Sequence, residues 1–153
     1  MCDKKEKQLE LDKRYLRMAA VWAENSYCER RQVGALIVRG DAIISDGYNG
    51  TPSGFENICE DENNKTKPYV LHAEANAIIS ASRRDMIGSI LYLVGRDAVT
   101  KELLTNATSC SMCRRQIINA GIAKVIIRTG KDKFTIVDVD EWIKNDDSMF
   151  WTE

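Results

Sequence analysis

His72-Ala73-Glu74 and Cys110-Ser111-Met112-Cys113 are the two places where this chain groups side chains able to hold a metal and move a proton. A Cys-x-x-Cys taken singly serves equally well as a dithiol redox pair, and a single histidine is usually an ordinary surface or core residue. Together they supply one imidazole and two thiolates. Three such donors fill a tetrahedral Zn2+ except at one position, the arrangement of a catalytic zinc, whereas a structural site takes a fourth protein ligand. Zinc brings the pKa of a bound water down to about 7. Glu74, two residues from the histidine, can lie beside that water without binding the metal, as a proton shuttle. His72 is the only histidine in the chain, so nitrogen ligation uses it or does not occur.

These groups need elements to position them. His72 to Met86, rich in Ala, Ile and Glu, reads as one helix; Cys110 to Ala120 reads as another, closed by Gly121. Both chemical groups then stand at helix N-termini, whose positive dipole ends favour thiolates and a bound hydroxide. Leu11, Tyr15, Met18 and Trp22 fall at helical spacing and predict an amphipathic helix running to about Tyr27. Residues 32–39 and 42–48 are strand-like runs separated by Gly40-Asp41, which predicts a hairpin. Residues 49–68 carry Gly50, Pro52, Gly54 and Pro68 and predict a long loop of the length usually kept for function. Strands are expected at 90–94, 124–128 and 134–139, with a helical turn at 141–144. The order α, β, β, α, β, α, β, β implies a mixed sheet with helices on its faces. Only Thr129-Gly130-Lys131-Asp132-Lys133 separate the last two strands. A parallel crossover needs about a dozen residues, so these strands should form an antiparallel hairpin at Gly130.

Composition narrows the function classes. The 153 residues suit a single domain spanning 1–153. Hydrophobic residues at 44% with 29% charged describe a globular chain. Lys+Arg 22 against Asp+Glu 23 gives a net charge of −1, with no long-range attraction to a polynucleotide or an acidic membrane. Arg83-Arg84 and Arg114-Arg115 read as solvated helix faces. The N-terminus lacks the apolar core of a signal peptide, and no run approaches 18 apolar residues, so a cytoplasmic protein is expected. Five cysteines without a secretion signal make a disulfide framework unexpected and favour metal or redox chemistry.

With His-x-Glu followed by Cys-x-x-Cys, the pattern of zinc nucleobase deaminases, the chain resembles the cytidine and deoxycytidylate deaminase family from Tyr27 to Val125. The resemblance also rests on Gln-Val-Gly-Ala (32–35), Ile-Ile-Ser-Asp-Gly-Tyr-Asn-Gly-Thr-Pro (43–52), His-Ala-Glu-Ala-Asn-Ala-Ile (72–78) and Ile-Ile-Asn-Ala-Gly-Ile (117–122). It implies a three-layer α/β/α fold with a mixed five-stranded sheet, and Zn2+ held by His72, Cys110 and Cys113. It implies hydrolytic deamination, with a zinc-activated water attacking C4 of the pyrimidine and Glu74 carrying the proton to N3 and the leaving amine. The 47–52 loop is of the nucleotide type, which makes dCMP, giving dUMP and ammonia, the expected substrate. Asn49 then resembles a ribose-hydroxyl ligand and the Ala73 backbone a base contact. Arg30 and Arg31 are the nearest guanidinium candidates for the 5′-phosphate, or else solvated charges beside the first strand. A homo-oligomer with dCTP and dTTP as effectors follows by the same analogy.

Four features depart from the family pattern. Ser109 stands where proline is expected before Cys110. His72 and Cys110 are 38 positions apart, on the order of ten more than the family expectation, with the surplus in 95–109 as a lid or surface excursion. Cys28 and Cys59 occupy positions similar to those of a second zinc site in some members; without a second histidine that site is expected to be absent and both cysteines to be small buried hydrophobes. The fourth is the terminal hairpin, which replaces a helix-linked strand. The competing readings are a deaminase of another cytidine-like, pterin or purine substrate, and a non-catalytic zinc-binding regulatory module, which would share the ligands but have no need of Glu74.

Overall fold

The structure, a computed structural model, describes residues 3–105 and 108–145. Strands β1 (Arg31–Arg39), β2 (Ala42–Tyr48), β3 (Ile90–Asp97), β4 (Lys124–Gly130) and β5 (Lys133–Asp138) make one mixed sheet in the order β2-β1-β3-β4-β5. β3 and β4 are parallel; every other neighbouring pair is antiparallel. The β4–β5 hairpin is as counting required, with Gly130 paired to Lys133 across the turn Lys131-Asp132.

Helix α1 (Lys4–Ala23) covers one sheet face through Tyr15, Leu16 and Ala19 against Leu36, Val38, Tyr92, Val94 and Ile126. Helices α2 (Ala73–Ile79) and α4 (Ser111–Ala120) cover the other, packing Ala73, Ala77 and Ile117 on Ala35, Ile37, Leu91, Leu93, Val125 and Ile127. The short α3 (Arg83–Met86) leads into β3, and α5 (Val139–Lys144) closes the described chain. Successive side chains point into the two opposite cores, so β1 and β3 are buried in near-continuous runs rather than in alternation. No helix among the described residues is long and apolar enough to cross a membrane.

Three expectations change. The buried face of α1 is Asp12, Tyr15, Leu16, Ala19 and Ala23, while Met18 and Trp22 are exposed and the helix stops at Ala23. The reason is Gly34 in β1: a Cβ there would run into the Ala19 carbonyl and lie 2.7 Å from the Ala23 nitrogen, so the helix presents its small residues to the sheet. Asp12, though charged, is buried because it accepts from the Tyr92 hydroxyl at 2.5 Å and from Gln8 at 2.8 Å. Burial, and then the Asp12 carboxylate, push the Tyr92 phenol well above its ordinary range and keep it a donor. Finally, residues 72–86 are not one helix. Ser80 caps α2, and Ser82 starts α3 by accepting from the Asp85 nitrogen, the local competition that serine side chains offer a helix.

Candidate active site

His72 is fixed from both sides. Before it, Leu71 and Gly50 exchange backbone hydrogen bonds of 2.8 and 3.1 Å, tying the entry of α2 to the loop after β2. After it, α2 is held on β2: Asn76 Nδ2 donates to the Tyr48 carbonyl at 2.8 Å, and Ser45 Oγ donates to the Ala77 carbonyl at 2.5 Å. Gly47 allows this approach, since a Cβ there would run into the Ala73 carbonyl and come 2.6 Å from the Ala77 nitrogen. His72 is the N-cap of α2 but spends no side-chain hydrogen bond on capping, which leaves its ring available. Ala73 and Glu74, in the first turn, are both buried.

The β3–β4 crossover brings α4 to the same place. Cys110 is its N-cap and its sulfur accepts from the Cys113 nitrogen at 3.4 Å. His72 Nδ1 lies 3.4 Å from Cys110 Sγ and 3.3 Å from Cys113 Sγ, and the three donors all fall within 4.8 Å of one another. Exposure is graded across them: His72 open, Cys110 half-buried, Cys113 buried. Burial, then the Glu74 charge and Cys110, push the Cys113 thiol upward. Two sulfurs beside a buried carboxylate crowd like charge, and a divalent cation at their centre would offset it and hold both as thiolates. The borderline-soft N/S donor set fits Zn2+, with one coordination position left for a small molecule beside Glu74. Ser109, in place of proline, is buried; its carbonyl accepts from Arg114 Nε at 3.1 Å, so a side chain from α4 steadies the backbone where a ring would have.

Asn49 and the arginine pair lie at the head of β1. Asn49 Oδ1 accepts from the Val33 nitrogen at 2.8 Å and its Nδ2 donates to the Arg31 carbonyl at 2.9 Å. Each atom keeps one further hydrogen-bonding position, a second lone pair and a second proton. Arg31 opens β1 and is exposed, as is Arg30, whose guanidinium reaches Thr66 Oγ1 at 3.5 Å across the loop. Tyr27 braces the same loop: its hydroxyl pairs with Thr51 Oγ1 at 2.7 Å and accepts from the Thr51 nitrogen at 2.8 Å.

Cys28 and Cys59 are not separate buried thiols. They form a disulfide, Cα to Cα 5.3 Å, that ties the entry of β1 to the 49–68 loop. The cysteine count argues against a framework of bridges but is silent on a single pair, and only the path of the loop brings Cys59 back to Cys28. Glu60 beside it is buried and accepts from the Glu29 and Arg30 nitrogens at 2.9 and 3.1 Å. Cys28, Cys59 and Glu60 also cluster closely enough for a metal, but sulfurs joined to each other offer no thiolate. Tyr27 and Glu60 escape sequence reasoning; the Cys59-Glu60 pair inside an otherwise polar loop is the one visible signal. The 95–109 surplus resolves in part. β3 runs on to Asp97, whose carboxylate accepts from the Val99 and Thr100 nitrogens, and Leu103 folds back to pair with Arg96. This half is a return along the sheet; residues 106–107 lie outside the described residues.

Comparison with known proteins agrees with this geometry. Residues 9–129 match the family model described as the cytidine and deoxycytidylate deaminase zinc-binding region. The deoxycytidylate deaminase of Mycobacterium phage D29 is 31% identical over 129 residues, covering 75% of this chain and 91% of the relative. The human deoxycytidylate deaminase is 31% identical over 138 residues, covering 85% of this chain and 71% of the relative. Among solved structures, the dCMP deaminase of cyanophage S-TIM5, crystallised with dCMP and dUMP, is 33% identical with a TM-score of 0.62, covering 84% of each chain. With a zinc-type donor set assembled at the ends of α2 and α4 and a match of this extent, the chain belongs to the cytidine and deoxycytidylate deaminase family.

Proposed function

We propose that this chain deaminates dCMP hydrolytically, dCMP and water giving dUMP and ammonia, at a zinc held by His72, Cys110 and Cys113. The observation that carries the reading is the convergence of those three donors, with the carboxylate of the buried Glu74 beside Cys113. Zinc, when bound, supplies a water acidified enough to act as nucleophile at neutral pH. Glu74 would take one proton from that water and pass it to N3 as the oxygen bonds to C4, then carry the remaining hydroxyl proton to the exocyclic amine, so that the C4–N bond breaks, C4=O forms and ammonia leaves. Burial of Glu74 in the first turn of α2 keeps bulk water from exchanging with that proton. The backbone at Ala73 meets the base, Asn49 offers its spare donor and acceptor to the sugar, and Arg30 or Arg31 takes the 5′-phosphate. The relatives named deoxycytidylate deaminase support the nucleotide over the free nucleoside. Residues 1–153 act as one unit in the cytoplasm, as a homo-oligomer on the family analogy, and neither a polynucleotide nor a membrane is a partner.

The test is Glu74→Gln. An amide cannot shuttle a proton, so dCMP turnover falls about 10²–10⁴-fold, while zinc content measured by atomic absorption stays that of the parent protein. A variant that deaminates at the parent rate, or one active after its zinc is removed, would overturn the mechanism.

A further inference from the structure

On the sheet face opposite the candidate active site, beside the C-terminal half of α1, lies a cavity of about 320 Å3. Ala20 and Ala23 of α1, Val94 of β3 and Leu103 form its apolar part. The remaining lining residues are Arg96, Lys101, Arg128 and Lys131. Four cations around one cavity, with no acid among its described lining residues, are a marked concentration in a chain whose net charge is −1. Among the described residues these four cations make one ion pair, Arg96 with Glu24, at a loose 3.8 Å.

The cations fall into two organised pairs. Gln32 Oε1 accepts from Arg96 Nε at 2.8 Å and from Lys101 Nζ at 3.4 Å, gathering those two on one side. Arg128 donates to the Gly130 and Lys131 carbonyls at 3.2 and 2.9 Å, which sets its guanidinium against the turn that carries Lys131. Arg128 thereby commits two of its five N–H donors, and the rest stay available. Fixed like charges in a half-enclosed cleft hold a strongly positive potential, and guanidinium groups match phosphate oxygens in geometry as well as charge. The volume lies within the roughly 300–1,000 Å3 of small-molecule sites.

We propose that this cavity is a second binding site, independent of the deaminase reading, for a small organic anion carrying two phosphate groups. One phosphate sits between Arg96 and Lys101, the other between Arg128 and Lys131, and the carbon body rests on Ala20, Ala23, Val94 and Leu103.

Fructose 1,6-bisphosphate is the probe, with fructose 6-phosphate and inorganic phosphate as controls, each titrated calorimetrically into the zinc-loaded protein at constant ionic strength. The bisphosphate should bind saturably and at least tenfold more tightly than either control. Lys131→Ala, at an exposed turn, and Lys101→Asn, chosen because Lys101 has a positive φ that asparagine tolerates, should each weaken it about tenfold. Unchanged thermal melting of both variants shows that they fold, and Lys131→Ala alone suffices if Lys101→Asn does not. Parent affinity in the variants would place the anion elsewhere and overturn the proposal, as would equal binding of the mono- and bisphosphate or no saturable binding.

Discussion

At the scale of single residues, chemistry was more legible than placement. His72, Glu74, Cys110 and Cys113 announce themselves because few arrangements use an imidazole, a carboxylate and two thiols at those spacings, and the fold brings the three metal donors within 4.8 Å. Cys28, Cys59 and Glu60 did not, because nothing local to Cys28 specifies a partner 31 positions away. Their effect is felt at Arg30, whose nitrogen is held by Glu60 one residue beyond the bridged stretch. This anchoring gives the arginine pair a defined position, from which a charge-assisted contact with a 5′-phosphate is worth about 1.5–3 kcal/mol. Arg30→Ala or Arg31→Ala should therefore lower kcat/KM for dCMP roughly ten- to a hundredfold and leave deoxycytidine unaffected. Steady-state kinetics on both substrates check this, and parallel losses on the two would remove the phosphate role.

Elements were legible where their periodicity is local and misread where a neighbour overrides it. The strands expected at 32–39 and 42–48, which form at 31–39 and 42–48, and the helix closed by Gly121 follow from composition and turn chemistry alone. The stripe of α1 did not, because Gly34 rewards small residues over large ones, a preference invisible from the helix itself. Gly47 plays the matching part under α2, at the base of the helix that carries His72 and Glu74. A Cβ there would stand 2.6 Å from the Ala77 nitrogen and 3.2 Å from its Cα, backbone atoms that cannot swing aside. Gly47→Ala must lift α2 from β2, at a cost of about 1–3 kcal/mol, and move His72 away from Cys110 and Cys113. Lowered thermal stability together with weakened zinc affinity in a competition titration is expected; intact zinc affinity would show that α2 tolerates the lift.

For the whole molecule, the antiparallel β4–β5 edge was legible by counting alone, since five residues cannot carry a helix, whereas the disulfide that ties the loop to the sheet depends on the finished chain path. Bridging residues 28 and 59 restricts the unfolded chain, an effect of about 2–4 kcal/mol for a loop of this size. The double variant Cys28→Ser, Cys59→Ser should lose that much in urea unfolding without reductant, and should raise KM for dCMP by freeing the loop; unchanged stability would contradict a formed bridge. The strand order β2-β1-β3-β4-β5 also sets the tempo of assembly. β1–β2 and β4–β5 are hairpins between chain neighbours and can form within microseconds. β3 alone must meet both, pairing residues 90–97 with 31–38 and residues 90–93 with 124–127, and each of those contacts closes a long segment of chain. Docking of β3 between two ready-made hairpins is then the slow step. Truncations in its core, such as Leu93→Ala, should slow refolding, while Val137→Ala, on the last hairpin and packed against the core, should mainly quicken unfolding, a division that stopped-flow chevrons of the two variants will reveal.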